Sequence, residues 1–373
     1  MSRQLLRIID ANLNRCSEGL RVLEDAARFV LNDTQLGQRL RTLRHDLARQ
    51  TDSIRTDLLS QRDSEYDVGR AYRPFRPSDK SEAVGETLRI QDLTEVVTAN
   101  AKRAEEALRV MEELARLPAL SSTLDSGRFA GARFDLYALE RELVSRISRR
   151  DKTDRIHGLY FILDRQFVAE RDELATAKHI IRAGARVVQL RDKSRFDPDG
   201  KGDMLALAQQ LRELCRQAGV LFIVNDYLDI AVAVDADGIH IGQSDLPLPL
   251  VRRQLPIDKI VGCSVRTLAQ ASKAEGEGAD YIAVGSIFPT NTKTHATVVG
   301  LDTLTQVRGA VSIPVVAIGG INRDNIGQVV AAGADAVAVI SAVLGQKDVG
   351  EAAKTLVAAI DSMKDVCHDQ LRS

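Results

Sequence analysis

Residues 278–286 read Gly278-Ala279-Asp280-Tyr281-Ile282-Ala283-Val284-Gly285-Ser286: a turn of small residues, an apolar β-branched run and a polar end. The same order returns after Gly333-Ala334-Asp335 and, earlier in the chain, after Ala183-Gly184-Ala185. An apolar run this short, bounded by turn residues, is typical of a strand buried on both faces of a parallel sheet. The stretch therefore predicts one strand of an α/β fold.

Runs of this kind recur through the second half of the chain, and segments with the helical period separate them. Eight strand–helix units over residues 156–364 predict a (β/α)₈ TIM barrel. A doubly wound open sheet is the alternative, but it requires a reversal of strand order and usually a glycine-rich first turn, and neither is visible. The predicted strands are Gly158–Asp164, Arg186–Asp192, Leu221–Asp226, Gly238–Gly242, Lys259–Ser264, Tyr281–Ser286, Pro314–Gly320 and Ala336–Ser341.

The composition predicts a globular protein with room for more than one domain. The chain has 373 residues, of which 44% are hydrophobic and 28% are charged, and a formal net charge of -1. This charge gives no reason to expect a nucleic-acid or membrane-surface partner. No apolar run approaches the ~18–20 residues of a membrane span, and the first residues lack the apolar core of a signal peptide. We therefore expect a cytoplasmic protein.

Residues 1–150 are predicted to form an all-α domain with an internal repeat. Apolar or small residues between Leu13 and Val30 recur at alternating steps of three and four, as on one face of an amphipathic helix. A pattern of Asn, Arg and Glu that starts at Ala11 returns 88 positions later at Ala99. Two such faces meeting across a pseudo-twofold axis would form a pocket for a phosphorylated substrate; solvated faces with ion pairs along each helix are the alternative. The charged run Arg149–Arg155 is expected to be the linker.

In a TIM barrel the active site lies where the strands end. After the predicted sixth strand, the loop Gly285–Thr294 carries hydroxyls that can donate to phosphate oxygens, and Lys293 adds a movable positive charge. The Gly319-Gly320 pair and the end of strand eight offer backbone N–H groups to a second phosphate. A solvated turn is the alternative for a loop of this composition. The strand ends nevertheless predict two anion sites in one mouth.

Two acids follow neighbouring strands, Asp226 after strand three and Asp245 after strand four. Carboxylates in such a pair suit Mg²⁺, whose other positions are filled by water and substrate oxygens, although a single Asp at a strand end is more often a helix cap. Lys193 and Lys293 share the predicted mouth, which points to a metal-bridged diphosphate and not to a transition-metal site.

Cysteine and histidine are assigned no chemical role. The cysteines are scattered without a CxxC pair, which disfavours a zinc site or a disulfide framework. His240 alternates with apolar neighbours as a core or mouth-lining residue would, His295 is a weaker candidate than Lys293, and Cys263 has no neighbouring base to activate it. No GxxxxGK[ST] motif is present, which excludes a P-loop nucleotide site.

Together these strand ends resemble the thiamine phosphate synthase family over the whole predicted barrel, roughly 156–364. The motifs occur in the family's order. They are Gln189-Leu190-Arg191-Asp192-Lys193, Val224-Asn225-Asp226, Ala236–Asp245, Gly262-Cys263-Ser264, Thr290-Asn291-Thr292-Lys293, Ala317–Ile321 and Val339-Ile340-Ser341.

The resemblance implies that hydroxymethylpyrimidine diphosphate is joined to a thiazole phosphate, or to its carboxylated form, giving thiamine phosphate and diphosphate with Mg²⁺. It implies that Asp226 and Asp245 bind the metal and that Arg191, Lys193 and Lys293 are catalytic cations. The pyrimidine diphosphate would contact Gln189, Leu190, Arg191, Asp192, Lys193, Asn225, Ser264 and Lys293. The thiazole phosphate would contact Thr290, Asn291, Thr292, Gly320, Ile340 and Ser341.

A thiazole tautomerase, an isomerase on a related barrel, is the nearest competitor, but that family is expected to have a histidine where this chain has Ser286. The first 150 residues resemble a hydroxymethylpyrimidine phosphate kinase unrelated to the ribokinase type, which would use ATP. The matching text includes Asp10–Arg15, Glu18–Glu24, Leu43–Asp46 and Asp67-Val68-Gly69. A non-catalytic docking or dimerisation module is the alternative, and a homo-oligomer is compatible with the sequence.

Overall fold

The computed structural model describes residues 2–62, 90–168, 171–193, 200–290 and 297–370. Two compact units divide the chain, Met1–Ser148 and Arg149–Ser373. Asp67-Val68-Gly69 of the kinase-like motif lies outside the described residues. Of the helices in the described part, none has both the length and the apolarity needed to cross a membrane.

The first unit is helical, as predicted. Side chains cap its first two long helices: the Ser2 hydroxyl accepts from the Leu5 N–H at 3.3 Å and Asp33 accepts from the Leu36 N–H at 2.9 Å. Gly19 lets two helices approach closely, since a Cβ at this position would lie 2.6 Å from the Asn100 carbonyl oxygen. The helices are α1 (Arg3–Asp25), α2 (Thr34–Arg49), α3 (Arg55–Ser60), α4 (Ile90–Ala115) and α5 (Ser126–Asp154).

The internal repeat is visible in the hydrogen bonds. Asn12 and Asn100, which are repeat mates, each donate Nδ2 to the carbonyl four residues earlier at 2.8 Å. Glu24 and Glu112, also repeat mates, are both buried carboxylates surrounded by guanidinium groups. Around Glu24 these are Arg21, Arg28 and Arg44; around Glu112 they are Arg109, Arg116 and Arg133.

At Glu24 and Glu112 the repeated polar residues form ion pairs, and these two acids do not meet in the predicted pocket. Each of the two acids has its own set of arginine partners. The repeated charges neutralise two buried acids, because a buried carboxylate without such partners would be strongly destabilising.

The predicted linker Arg149–Arg155 is also wrong, because α5 continues to Asp154. Within the second unit, Arg149 is buried and its Nε donates to Oδ1 of Asp280 at 2.7 Å. Lys152 Nζ donates to Oδ2 of Asp258 at 2.9 Å. The charges of this run are paired in a helix and do not form a solvated connection.

The second unit is a closed barrel of eight parallel strands in the order β1 to β8, so the predicted fold is confirmed. The strands are β1 (Gly158–Asp164), β2 (Val187–Arg191), β3 (Leu221–Asn225), β4 (Gly238–Ile241), β5 (Ile260–Val265), β6 (Tyr281–Gly285), β7 (Val315–Ile318) and β8 (Ala336–Val339). The helices are α6 (Arg165–Val168), α7 (Glu173–Arg182), α8 (Gly200–Ala218), α9 (Leu228–Ala233), α10 (Leu248–Gln254), α11 (Leu268–Gly276), α12 (Gly300–Ala310), α13 (Ile326–Ala331), α14 (Ser341–Leu344) and α15 (Val349–Gln370).

Alternating residues of each strand belong to two hydrophobic clusters. In β1, Tyr160 and Ile162 pack in the barrel interior, whereas Phe161 and Leu163 pack in the layer that includes the helices. This is the two-residue period of a strand, with apolar residues on both faces because both faces are covered.

An aspartate immediately before each of three even-numbered strands fixes that strand to its predecessor. Asp237, Asp280 and Asp335 each donate a backbone N–H to a carbonyl of the preceding strand, at 2.9, 2.8 and 2.9 Å. Oδ2 of the same aspartates accepts the N–H of that same partner residue at 2.9, 2.7 and 2.8 Å. The partners are Phe222, Val261 and Val315.

Each of these aspartates also pairs with an arginine from the helix before the partner strand. Arg212 of α8 lies 3.3 Å from Asp237 Oδ2, and Arg308 of α12 lies 3.6 Å from Asp335 Oδ2. Arg252 of α10 donates to Asp280. The carboxylate thus ties helix, strand and next strand together at the amino-terminal end of the barrel.

We expect Asp237→Ala to lower the free energy of unfolding by about 2–3 kcal/mol, because the buried N–H of Phe222 loses its side-chain acceptor. Asp237→Asn keeps an oxygen that can accept this hydrogen bond and should cost less. Denaturant unfolding of the three proteins measures the difference. Equal stability of Asp237→Ala and the parent would contradict this role of the aspartate.

Candidate active site

A cavity of about 450 Å³ opens at the carboxyl ends of the barrel strands. Residues from many strand ends line it, as expected for this fold. Of the residues predicted to bind substrate or metal, those that line it are Gln189, Arg191, Lys193, Asn225, Asp226, Asp245, Ser264, Thr290, Gly320, Ile340 and Ser341.

Two residues of the β2 motif have to be corrected. Leu190 is fully buried in the cluster that packs against the helices, and Asp192 is buried beside Arg165, whose Nη1 donates to it at 2.9 Å. Successive side chains of a strand point to opposite faces, so only Gln189, Arg191 and, beyond the strand, Lys193 reach the cavity.

Asp226, Asp245 and Lys193 form one charged group. Asp226 directly follows β3 with a left-handed φ of 64°, a conformation that is unusual for a residue with a side chain. Its N–H donates to the His240 carbonyl at 2.9 Å, and its carboxylate pairs with Lys193 Nζ. Asp245 Oδ2 accepts the Gly242 N–H at 2.6 Å. Backbone hydrogen bonds thus fix the positions of both acids, one after β3 and the other after β4.

The carboxyl groups of Asp226 and Asp245 lie close enough to shift each other's pKa. Burial raises the pKa of Asp226, as does the neighbouring Asp245, while Lys193 opposes the shift. Burial would also raise the pKa of Asp245, but the neighbouring Asp226 and the hydrogen bond from the Gly242 N–H lower it overall. Two carboxylates this close repel each other, and a cation bound between them would relieve that repulsion.

This pair fits a hard divalent cation. Mg²⁺ is commonly held by one or two carboxylates, with waters and substrate phosphates completing its coordination. The described residues contain no group of three or more His, Cys, Asp or Glu side chains with metal-binding geometry. The donor set therefore suits a cation that is shared with a substrate better than one enclosed by protein.

Two further groups at the mouth bear on ligand binding. Arg191 pairs with Asp164, which is fully buried at the end of β1. Asn225 is buried, and its Nδ2 has no hydrogen-bond partner in the described structure. A buried donor of this kind is costly unless a ligand or water accepts from it.

The loop after β6 packs against the end of β7 and the Gly319-Gly320 pair that follows it. The N–H groups of Ile287 and Phe288 donate to the carbonyls of Ile318 and Gly319 at 2.9 and 3.0 Å. Thr290 lines the cavity. The predicted residues Asn291, Thr292 and Lys293, and also His295, lie outside the described residues.

His240 lies deeper than the mouth, in a buried polar network that the sequence did not predict. Burial lowers the pKa of His240 to about 4, so its imidazole is neutral at neutral pH.

Burial also raises the pKa of Cys263 to about 11, which keeps this thiol protonated and agrees with giving it no nucleophilic role.

Sequence reasoning missed several residues at the cavity. Tyr160 and Tyr281 line its floor, and Asp164 holds Arg191. Gln243 lines the rim, and its Nε2 donates to the Ser264 carbonyl at 2.7 Å. In the sequence, Tyr160 and Tyr281 are polar residues of otherwise apolar strands. They could be recognised as cavity residues once it is known which alternate residues of each strand face the barrel interior.

Comparison with known proteins decides the family. The family model described as thiamine monophosphate synthase matches residues 159–343, and that of the ThiD2 family matches residues 7–142. A thiamine-phosphate synthase of Synechocystis sp. is 38% identical over 343 residues, which are 91% of this chain and 92% of the relative. The chain belongs to the thiamine-phosphate synthase family.

Other members of the thiamine-phosphate synthase family agree. The synthase of Synechococcus sp. is 36% identical over 367 residues, covering 95% of this chain and 96% of the relative. A solved thiamine phosphate pyrophosphorylase from Pyrococcus furiosus is 37% identical with a TM-score of 0.51, and covers 56% of this chain and 98% of its own. The resemblance drawn from the strand ends is confirmed, and the chain is a transferase.

We expect Gly320→Ala to lower turnover by roughly tenfold or more, because small displacements of an active-site loop have large kinetic costs. Gly320 has a φ of 67°, and a Cβ there would lie 2.4 Å from the Pro289 carbonyl oxygen. Gly309 of α12 is the control, since a Cβ there meets nothing within 4 Å. Steady-state kinetics of Gly320→Ala and Gly309→Ala measure the effect, and equal turnover in the two would refute it.

Proposed function

We propose that the barrel, residues 156–364, joins hydroxymethylpyrimidine diphosphate to a thiazole phosphate and releases diphosphate. The observation that carries this proposal is the group formed by Asp226, Asp245 and Lys193 at the cavity mouth. Opposed carboxylates and a cation in one cavity suit a diphosphate that arrives with a divalent cation. Membership of the thiamine-phosphate synthase family supports the same reaction.

The chain's own groups have distinct tasks in this proposal. Arg191 and Lys193 face the diphosphate and stabilise the negative charge that develops on it as the C–O bond breaks. Asn225 offers its unpartnered Nδ2 to the same substrate. The aminopyrimidine delocalises the positive charge left on its methylene carbon, so no protein nucleophile is needed, and the thiazole nitrogen then attacks that carbon.

Asp226 and Asp245 would hold Mg²⁺, which when bound neutralises charge on the leaving diphosphate. Lys293 is proposed as a further cation for the diphosphate. Thr290, Asn291, Thr292, Gly320, Ile340 and Ser341 are proposed to bind the thiazole phosphate.

The tautomerase alternative is weaker at one position. Ser286 stands where a histidine is expected in that family, and its hydroxyl already donates to the Phe288 carbonyl at 2.7 Å. This hydrogen bond holds the start of the loop after β6.

Asp226→Asn should reduce synthesis of thiamine phosphate by orders of magnitude and raise the Mg²⁺ concentration needed for half-maximal rate, since one of two anionic ligands is lost. Asp229→Asn is the control, because Asp229 lies on α9 outside the cavity. Discontinuous assay of the product over a Mg²⁺ titration gives both quantities. Near-parental turnover of Asp226→Asn would count against the metal–diphosphate account.

We further propose that residues 1–150 phosphorylate hydroxymethylpyrimidine phosphate with ATP and so make the diphosphate that the barrel consumes. The match to the ThiD2 family supports this activity. The first unit also contains a cavity of about 400 Å³ whose walls include Leu20, Met111 and Phe129 and whose rim includes Arg44 and Arg55. An apolar floor with cations at the rim suits a small ring that carries a phosphate.

The full-length protein with ATP, Mg²⁺ and hydroxymethylpyrimidine phosphate should then form ADP in proportion to the pyrimidine diphosphate. Arg55 makes no ion pair among the described residues, so Arg55→Gln should raise the KM for the pyrimidine phosphate without loss of stability. Absence of ADP under several metal conditions would favour the docking or dimerisation module.

A further inference from the structure

Five polar side chains form a continuous hydrogen-bonded chain across the barrel interior. Gln189 Nε2 donates to Tyr160 Oη at 2.9 Å, and Tyr160 Oη lies 2.9 Å from Tyr281 Oη. Tyr281 Oη lies 3.2 Å from His240 Nδ1, and His240 Nε2 lies 2.8 Å from Ser264 Oγ. The chain links β2, β1, β6, β4 and β5 and ends at a hydroxyl that lines the cavity.

The barrel is shaped to hold the middle of this chain. Tyr160 and Tyr281 are among the largest fully buried side chains of the protein. Gly262 pairs in register with Tyr281, and a Cβ at Gly262 would lie 2.0 Å from the Tyr281 Cζ atom. The glycine therefore gives the ring its space. Burial raises the pKa of both phenols, so both keep their protons.

The direction of the hydrogen bonds along the chain follows from Gln189 at its first end. The Gln189 amide nitrogen can only donate, so Tyr160 Oη accepts from it, and Tyr281 Oη is the acceptor within the chain for the Tyr160 proton. Tyr281 then has His240 Nδ1 as the acceptor for its proton. A neutral imidazole has one N–H, which must be on Nε2, and this group donates to Ser264 Oγ. In this arrangement every proton of the chain up to Ser264 has an acceptor within the chain.

We propose that Tyr160, Tyr281 and His240 are positioning residues that make the Ser264 hydroxyl a hydrogen-bond donor to the substrate. Because His240 Nε2–H occupies an acceptor site of Ser264 Oγ, the serine proton is left to point into the cavity. A protonated imidazole would also donate from Nε2, so the direction at Ser264 does not depend on the charge of His240.

The serine proton is then available to an acceptor on the ligand, such as a ring nitrogen of the pyrimidine or an oxygen of its diphosphate. This part rests on the proposed function, together with the contact between Ser264 and the pyrimidine substrate that the family resemblance implies.

The tautomer of His240 is the direct test and does not require activity. In ¹⁵N NMR of the histidine-labelled full-length protein, with the His240 signals assigned by their loss in His240→Gln, we expect the proton on Nε2. Tyr281→Phe removes the donor to Nδ1 and should give a mixture of tautomers. Tyr160→Phe is the matched control, because it also removes one phenolic hydroxyl but leaves Tyr281 to donate to Nδ1. This variant should retain the Nε2–H form. A proton on Nδ1 in the parent protein would overturn the proposal.

Kinetics test the consequence for the substrate. His240→Leu should raise the KM for the pyrimidine diphosphate by about tenfold and leave the KM for the thiazole phosphate unchanged. His240→Gln can still direct an N–H at Ser264 and should recover most of this loss. Equal losses in the two variants, or parallel changes in both KM values, would show a purely structural role and refute the proposal.

Failure of the proposed function has a different signature. If the parent protein forms no thiamine phosphate while His240 carries its proton on Nε2, the proposed direction of the hydrogen-bonded chain is supported and the proposed substrate is refuted. If the parent is active and the proton is on Nδ1, the proposed function is supported and the proposed direction of the hydrogen-bonded chain is refuted.

Discussion

The barrel depends on three carboxylates that bind backbone and helix at the same time. Asp237, Asp280 and Asp335 each exchange two hydrogen bonds with one residue of the preceding strand and pair with an arginine from the helix before it. These contacts fix the register between neighbouring parallel strands, where a slip of one residue would reverse every side chain. Because the contacts lie at the amino-terminal ends, the carboxyl ends are left to carry polar groups without having to supply stability.

The site draws on that register. Asp226 and Asp245 belong to separate strand ends, and their carboxyl groups meet only because β3 and β4 are aligned, with Asn225 opposite His240. The same alignment carries the hydrogen-bonded chain from Gln189 to Ser264 below the mouth. Charge is thus concentrated at the rim and directional hydrogen bonding at the floor, which suits a substrate with a polar ring and an anionic leaving group.

Much of the fold and part of the site could be predicted from sequence because strand parity and turn residues are local properties. The predicted strands agree with the structure to within two residues at every end, and Asp226 and Asp245 lie close together as expected from neighbouring strand ends. The errors have physical reasons: Leu190 and Asp192 share a motif with Gln189 but point to the other face. The repeated acids Glu24 and Glu112 read as solvated or pocket-forming, yet are buried, since burial depends on tertiary arginine partners. The network through His240 joins five strands that are distant in sequence, so no local pattern reveals it.

The central claim is that this mouth releases diphosphate as it forms thiamine phosphate. The most direct measurement supplies the full-length protein with Mg²⁺, hydroxymethylpyrimidine diphosphate and the thiazole phosphate, and counts diphosphate against thiamine phosphate. The account predicts equal amounts of the two products, and none of either when the thiazole phosphate is omitted. Conversion of a thiazole phosphate to an isomer, with no diphosphate released, would contradict it.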